Sequence, residues 1–316
     1  MTVKSGQNAW PSLSYADLKD TCETLHLWTQ IVGKVRVAQT PWVNHQWHVT
    51  LYLSARGLTT SPISYGNRVF EIEFDFLRHV LELRTSDGET AEIPLTEGSI
   101  ADFHAAVLTA LSRLDLDVRI DGTPNEIPGA VPFQQDRAHR TYLPAQAQRF
   151  WQALLQVDRV FKQFRSGFLG KASPVHFFWG SFDLALTRFS GRPAPLHPGG
   201  VPGLPDEIAR EAYSHELSSA GFWPGGGAAD YPAFYAYAYP EPPGFRTTPV
   251  RPNAAFFDEG MGEFLLPYEA VRTADDPDEV LLGFLQSTYE AAANAGDWNR
   301  AELECPLGEP GVPRPI

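Results

Sequence analysis

The chain has 316 residues, 43% hydrophobic and 20% charged, and carries a net charge of −13 at neutral pH. That length supports a sizeable core, and the acidic balance lacks the basic footprint that nucleic-acid binding requires. Its two cysteines, Cys22 and Cys305, match no zinc or redox spacing and cannot make a disulfide framework. No apolar run approaches the ~18 residues that cross a bilayer, and the opening MTVKSGQNAWPSLSY has no apolar signal region. These features predict a soluble, cytoplasmic protein with no nucleic-acid or membrane partner.

In chain order, the three-to-four spacing of Leu18, Cys22, Leu25, Trp28 and Val32 predicts an amphipathic helix over 14–35, with Ser14 as N-cap. WHVTLYLSA (47–55) and VFEIEFDF (69–76) alternate apolar and polar residues and predict strands. HVLELRT and AEIPL flank Asp87-Gly88, a hairpin signal. A helix capped by Ser99 follows over 99–114, then a short strand, LDVRI (116–120). After a Pro/Gly-rich connector come a second amphipathic helix (145–166) and HFFWGSFDLALTRFSGRP (176–193), read as one strand. A Pro/Gly loop near 192–206 leads to HELSSAGFW, PAFYAYAYP and GEFLLPY. Asp276-Pro277-Asp278-Glu279 starts a last helix, with Asp as cap and Pro in the first turn. The Pro/Gly-rich end is expected to be weakly ordered.

The two halves share a pattern. HQWHVTLYLSARGLTTSP (45–62) lies over residues 176–193 without a gap, His45 on His176, Tyr52 on Asp183 and Pro62 on Pro193. Helix, strands, helix occurs twice in the same order. The expected fold is therefore α+β, with two related halves at 8–121 and 144–304, a connector at 122–143 and a tail at 305–316. Each half is a mainly antiparallel sheet covered by helices, the two related by an approximate two-fold, with a ligand site in the cleft where they meet.

HFFWGSFDLALTRFSGR, SHELSSAGFWPG, YAYAYPEPPGF and the run from GEFLLPYEAVR to QSTYEAAA, taken together, resemble a bacterial protein family catalogued only as a domain of unknown function. The resemblance covers about residues 8–304. It implies a soluble bacterial protein and brings no activity, substrate or catalytic residue with it.

The candidate chemistry therefore comes from the residues alone. Asp183 stands on the mixed face of its strand with Trp179, Ser181 and Thr187, where partial burial beside aromatics would raise its pKa for acid–base work. His176, His215 and Glu216 are the other catalytic candidates, in a hydrolytic reaction with a carboxylate base and a histidine partner. Trp179, Arg188 and the ladder Tyr235, Tyr237 and Tyr239 are candidates to hold a polar ligand. His215-Glu216 is not part of an HExxH motif, since position 219 is Ser, so no metal site is assigned and no cofactor is indicated. No phosphate-binding, dinucleotide or GxSxG motif is present. A non-catalytic binding module and a protein-interaction scaffold stand as alternatives to the enzyme.

Overall fold

The computed structural model describes residues 9–200, 203–227 and 229–314. The first eight residues, two residues of the Pro/Gly loop (201–202), residue 228 and the last two of the tail lie outside that range.

The chain opens with helix α1 (Tyr15–Gln39). Strands β1 (Tyr52–Leu53), β2 (Gly57–Thr59), β3 (Ile63–Tyr65), β4 (Arg68–Asp75), β5 (Val80–Thr85) and β6 (Thr90–Pro94) build a six-stranded antiparallel sheet in the order β1-β2-β4-β5-β6, with β3 also paired to β4. A short ribbon of β7 (Gly98–Ser99) and β8 (His139–Arg140) brackets helix α2 (Ile100–Arg113). Helix α3 (Pro144–Ser166) leads into the second half. There β9 (His176–Phe178), β10 (Asp183–Pro193), α4 (Asp206–Ala212), β11 (His215–Trp223), β12 (Ala233–Tyr239), β13 (Phe256–Asp258) and β14 (Glu263–Pro267) follow. These strands form a second antiparallel sheet, β13-β14-β12-β11-β10-β9. Helices α5 (Tyr268–Arg272), α6 (Pro277–Ala295) and α7 (Arg300–Leu303) close the chain. The fold is α+β, with a sheet in each half.

Several local expectations hold for their stated reasons. Ser99 accepts the Asp102 N–H at 3.1 Å and Asp276 accepts the Glu279 N–H at 3.1 Å, both as N-caps. Gly88 supplies the positive φ that turns β5 into β6. Ser14 stands at the start of α1 but makes no side-chain cap. That helix is buried nearly all round rather than on one face, because α2, α3, β3, β8 and the hairpin turn at 179–182 surround it. Two of its inward side chains meet loops: Thr24 donates to the Thr141 carbonyl (2.7 Å) and Arg36 Nε to that of His48 (2.8 Å), while the Trp28 indole N–H and Arg36 Nη1 find no partner among the described residues.

Other expectations fail. Residues 176–193 are not one strand but a hairpin, β9 and β10, with the turn at 179–182 and Phe182 at φ +59°; Asp183 then lies opposite Phe178. The predicted strand 47–55 survives only as Tyr52–Leu53. Trp47, His48 and Val49 all turn toward the same cavity, which the alternating faces of a strand forbid. His45, aligned with the strand residue His176, instead sits in a turn at φ +60°. LDVRI buries Leu116 and Val118 as an alternating pattern should, but no strand among the described residues pairs with it. The start of the tail is held, since the Cys305 N–H reaches the Gly167 carbonyl and the Gly308 N–H reaches Ser166.

Both sheets put one face on the helices. Phe70, Ile72, Phe74, Leu81 and Leu83 of the first sheet join Leu184, Leu186, Phe222, Phe234 and Phe264 of the second in one apolar cluster. The first sheet's outer face carries charges that pair across strands, with Arg84 on Glu73 (2.6 Å) and Arg56 on Asp75 (2.6 Å). The sheets meet edge to edge: Leu51, just before β1, exchanges two 2.9 Å backbone hydrogen bonds with Phe177 of β9. No helix among the described residues is long and apolar enough to cross a membrane. Phe177 lies fully buried at the seam. Phe177→Ala should cost about 3–5 kcal/mol. Both sheets should then unfold in one urea transition followed by far-UV circular dichroism, and two separated transitions would contradict a shared core.

Candidate functional site

The second sheet's other face is what sets the halves apart. On β10 the odd positions Asp183, Ala185, Thr187 and Phe189 point away from the helices; Leu217 and Ser219 of β11 and Tyr235 and Tyr237 of β12 continue the same face. In register, Thr187, Ser219 and Tyr237 form one row, and Ala185, Gly221 and Tyr235 another. This face is only partly open to water. The end of α1, the segment 42–49, residues 119–126 and α4 roof it over, leaving a cavity of about 470 Å³. The floor comes from the second half; the roof comes from the first half, the connector and α4 of the second half, and the volume falls within the usual range for a small-molecule site.

At the floor, Asp183 is only 5% exposed. Tyr235 and Ser181 both donate hydrogen bonds to its carboxylate. The Tyr235 ring reaches Asp183 by crossing β11 at Gly221, where any Cβ would collide with that ring. The Thr187 and Ser219 hydroxyls lie 2.9 Å apart, and those of Tyr213 and Tyr237 3.0 Å. Trp179 forms a wall and donates its indole N–H to the Val49 carbonyl (2.7 Å), tying the floor's hairpin to the roof. Glu126 also faces the cavity; its carboxyl lies over Gly180, where a Cβ would strike it. Backbone and side chain of Asn125 are held by Gln30 of α1 (2.7 and 2.8 Å) and by Lys34 (2.5 Å).

These acids have little to offset their burial. Desolvation pushes Asp183 above the ordinary carboxylate range despite hydrogen bonds from Ser181, Tyr235 and its own backbone N–H. Burial, with the nearby Asp183, pushes Glu126 up to about 7. Glu263, at the start of β14, is likewise pushed up to about 7 by burial and then by Asp183 and Asp258. Tyr235 and Tyr237 are raised far above the phenol range, first by burial. Lys34 is lowered by burial; it lies 3.8 Å from Asp121 and 6.0 Å from the Trp179 ring.

Of the residues singled out in the sequence, Asp183, Trp179, Tyr235 and Tyr237 converge on this cavity. The others do not. His176 is fully buried beside it with the rings of Trp47, Tyr52 and Phe178 closed edge-on around it. Neither ring nitrogen has a partner among the described residues, and burial, with Arg36 and Arg165, pushes its pKa down to about 3. His215 packs on His45 at 5.7 Å, beyond the cavity. Glu216 points to the opposite face, where it pairs with Arg192 (2.7 Å). Arg188 lies on the helix side, caged by Phe164, Phe168 and Tyr289. Tyr239 donates to the Pro195 carbonyl (3.0 Å) and, with Glu216, borders a separate hollow of about 230 Å³. The expected pairing of Asp183 with His176 or His215 is therefore not made. Among the described residues no three His, Cys, Asp or Glu side chains are grouped to hold a metal ion.

Sequence reasoning missed Glu126, Lys34, Tyr213 and the roof residues Trp42 and Trp47. Glu126 sits in the stretch read as a connector, and nothing local to it signals a contact with Gly180.

Gly221→Val should force the Tyr235 ring off Asp183 and cost about 1–3 kcal/mol from overpacking, read in urea unfolding; a neutral result would remove Gly221 as the residue that admits the ring. The raised acids also set a pH dependence. Below the ordinary carboxylate value of about 4.5 both folded and unfolded chains hold the proton. As pH rises to about 7 the unfolded chain ionises first, so these groups lower stability across that window, and the decline levels off above it. A Glu126→Gln, Glu263→Gln variant should lose this decline, on the order of 2–3 kcal/mol per carboxyl between about pH 5 and pH 8. The same slope in both proteins would contradict it.

Comparison with known proteins gives a single kind of match. No curated protein and no solved structure matches the chain. A family model described as "Family of unknown function (DUF5996)" matches residues 10–305. With nearly the whole chain covered, the protein belongs to the DUF5996 family.

Proposed function

We propose that the protein binds a small organic molecule in the cavity between the second sheet and its roof. The observation that carries this reading is Asp183. It is a buried carboxylate at the floor of a 470 Å³ space, held by Tyr235 and Ser181 and matched by no cation among the described residues. A packed core does not retain such a group without use for it, because burying an acid with no counter-charge costs stability. The hydroxyls of Thr187, Ser219, Tyr213 and Tyr237 add orienting groups to a mainly apolar lining, the composition usual for ligand sites. Net charge −13 weighs against a nucleic acid, and free Cys22 and Cys305 suit a reducing, cytoplasmic setting.

A second reading, an acid–base enzyme, is favoured by one further feature. Glu126, raised to about 7, lines the same cavity as Asp183, and two carboxyls of unlike environment supply an acid and a base. This replaces the carboxylate–histidine pair with a pair of carboxyls; hydrolysis remains one reaction such a pair can serve.

The test is a metabolite screen by thermal shift on the intact chain. A ligand present at one hundred times its Kd should add ~2.7 kcal/mol of stability. Ala185→Phe, which fills the floor, should abolish that gain while the circular dichroism spectrum stays native. Stabilisation that persists in this variant would move the site elsewhere. Turnover that survives both Asp183→Asn and Glu126→Gln would sink the enzyme reading and leave binding.

A further inference from the structure

We propose that the molecule this cavity takes is an organic amine, with its ammonium group between Glu126 and Asp183 and its apolar body along the aromatic wall toward Trp42. The inference rests on the cavity being a ligand site and adds the charge and shape of what enters.

The deep end presents acceptors. Tyr235, Ser181 and the residue's own backbone N–H occupy three of the roughly four acceptor positions on the Asp183 carboxylate, leaving one. The Glu126 carboxyl receives no hydrogen bond and no ion pair from the described residues, though it lies in the cavity wall beside Gly180. The cations near the cavity are engaged or remote. Lys34 is taken by Asn125 and Asp121, Lys171 donates to His45, and Arg119 is exposed at the rim. His45 accepts from Lys171 through Nε2 and lies 2.8 Å from the Ala212 carbonyl through Nδ1, so it is held neutral.

The walls suit the same guest. Trp179, Phe178, Tyr213 and Tyr235 line the same space as the acids, and aromatic rings attract ammonium groups and repel anions at their faces. An anionic ligand would meet two carboxyls with no free base. A neutral one would leave the Glu126 carboxyl without a counter-charge. An ammonium group offers up to three donors, enough for both carboxyls at once. Val37 and Trp42, 40% and 58% exposed, add apolar surface to the outer lining, where an apolar tail can lie beyond the charged head.

The experiment is isothermal titration of the full chain with three probes of matched shape: 2-phenylethylamine, 2-phenylethanol and 3-phenylpropionate. The amine should bind at least tenfold more tightly than the alcohol, and the carboxylate should not bind. Glu126→Gln should erase the amine's advantage while leaving affinity for the alcohol within about threefold; Asp183→Asn is the second variant should the first fail to fold. If the alcohol or the carboxylate binds as tightly as the amine, and Ala185→Phe blocks it, the inference is overturned and the cavity remains a binding site. If none of the three gives heat at millimolar concentration with the chain folded, both fall.

Discussion

The second sheet buries a polar face, and much of the molecule follows from that constraint. A surface carrying Asp183, Thr187, Ser219 and two tyrosines cannot be packed dry under a helix without stranding its polar atoms. The chain covers it with loops and the rim of α1, which leave space and bring their own polar groups. The first sheet takes the ordinary course, with helices on one side and a solvated lattice of Glu and Arg on the other. The contrast places the unusual floor in one half, while the roof is shared among α1 and the segment 42–49 of the other half, the connector and α4.

Small residues make the arrangement possible. Gly221 lets one tyrosine lie across a neighbouring strand, and Gly180 gives the Glu126 carboxyl its seat. Neither is a turn glycine with positive φ; each is there because a side chain from elsewhere needs the room. The roof is fastened at Arg36 to the His48 carbonyl, at Trp179 to the Val49 carbonyl and at Leu51 to Phe177. Each fastening joins residues distant from one another in sequence or in different elements, so the cavity depends on tertiary structure rather than on any local motif.

The sequence was legible where local physics decides. The Asp276-Pro277 start, the Ser99 cap, the Asp87-Gly88 turn and the alternation of β4 and β12 all read directly. Asp183, Tyr235 and Tyr237 were recognisable because a period of two placed them on the polar faces of their strands, whereas Trp179 reaches the cavity from a hairpin turn that the period did not foresee. It failed where a long-range partner decides. Trp47 and Val49 alternate as a strand should, yet the cavity draws His48 to the same side as both. Arg188 read as a candidate to hold a polar ligand, but aromatic rings of α3 and α6 enclose it. His176 and His45 align in sequence, whereas one sits in a strand and the other in a left-handed turn. Glu126 had no signal at all, since its neighbours come from another element of the fold.

The wall of the cavity also has an optical consequence. Of the chain's eight tryptophans, Trp42, Trp47 and Trp179 line that one space, two tied into its structure and one open to water. Indole emission shifts with the polarity around the ring, so any occupant that displaces water changes the colour of the protein's own fluorescence. The molecule carries a built-in gauge of whether its cavity is filled, needing neither an added dye nor a labelled guest.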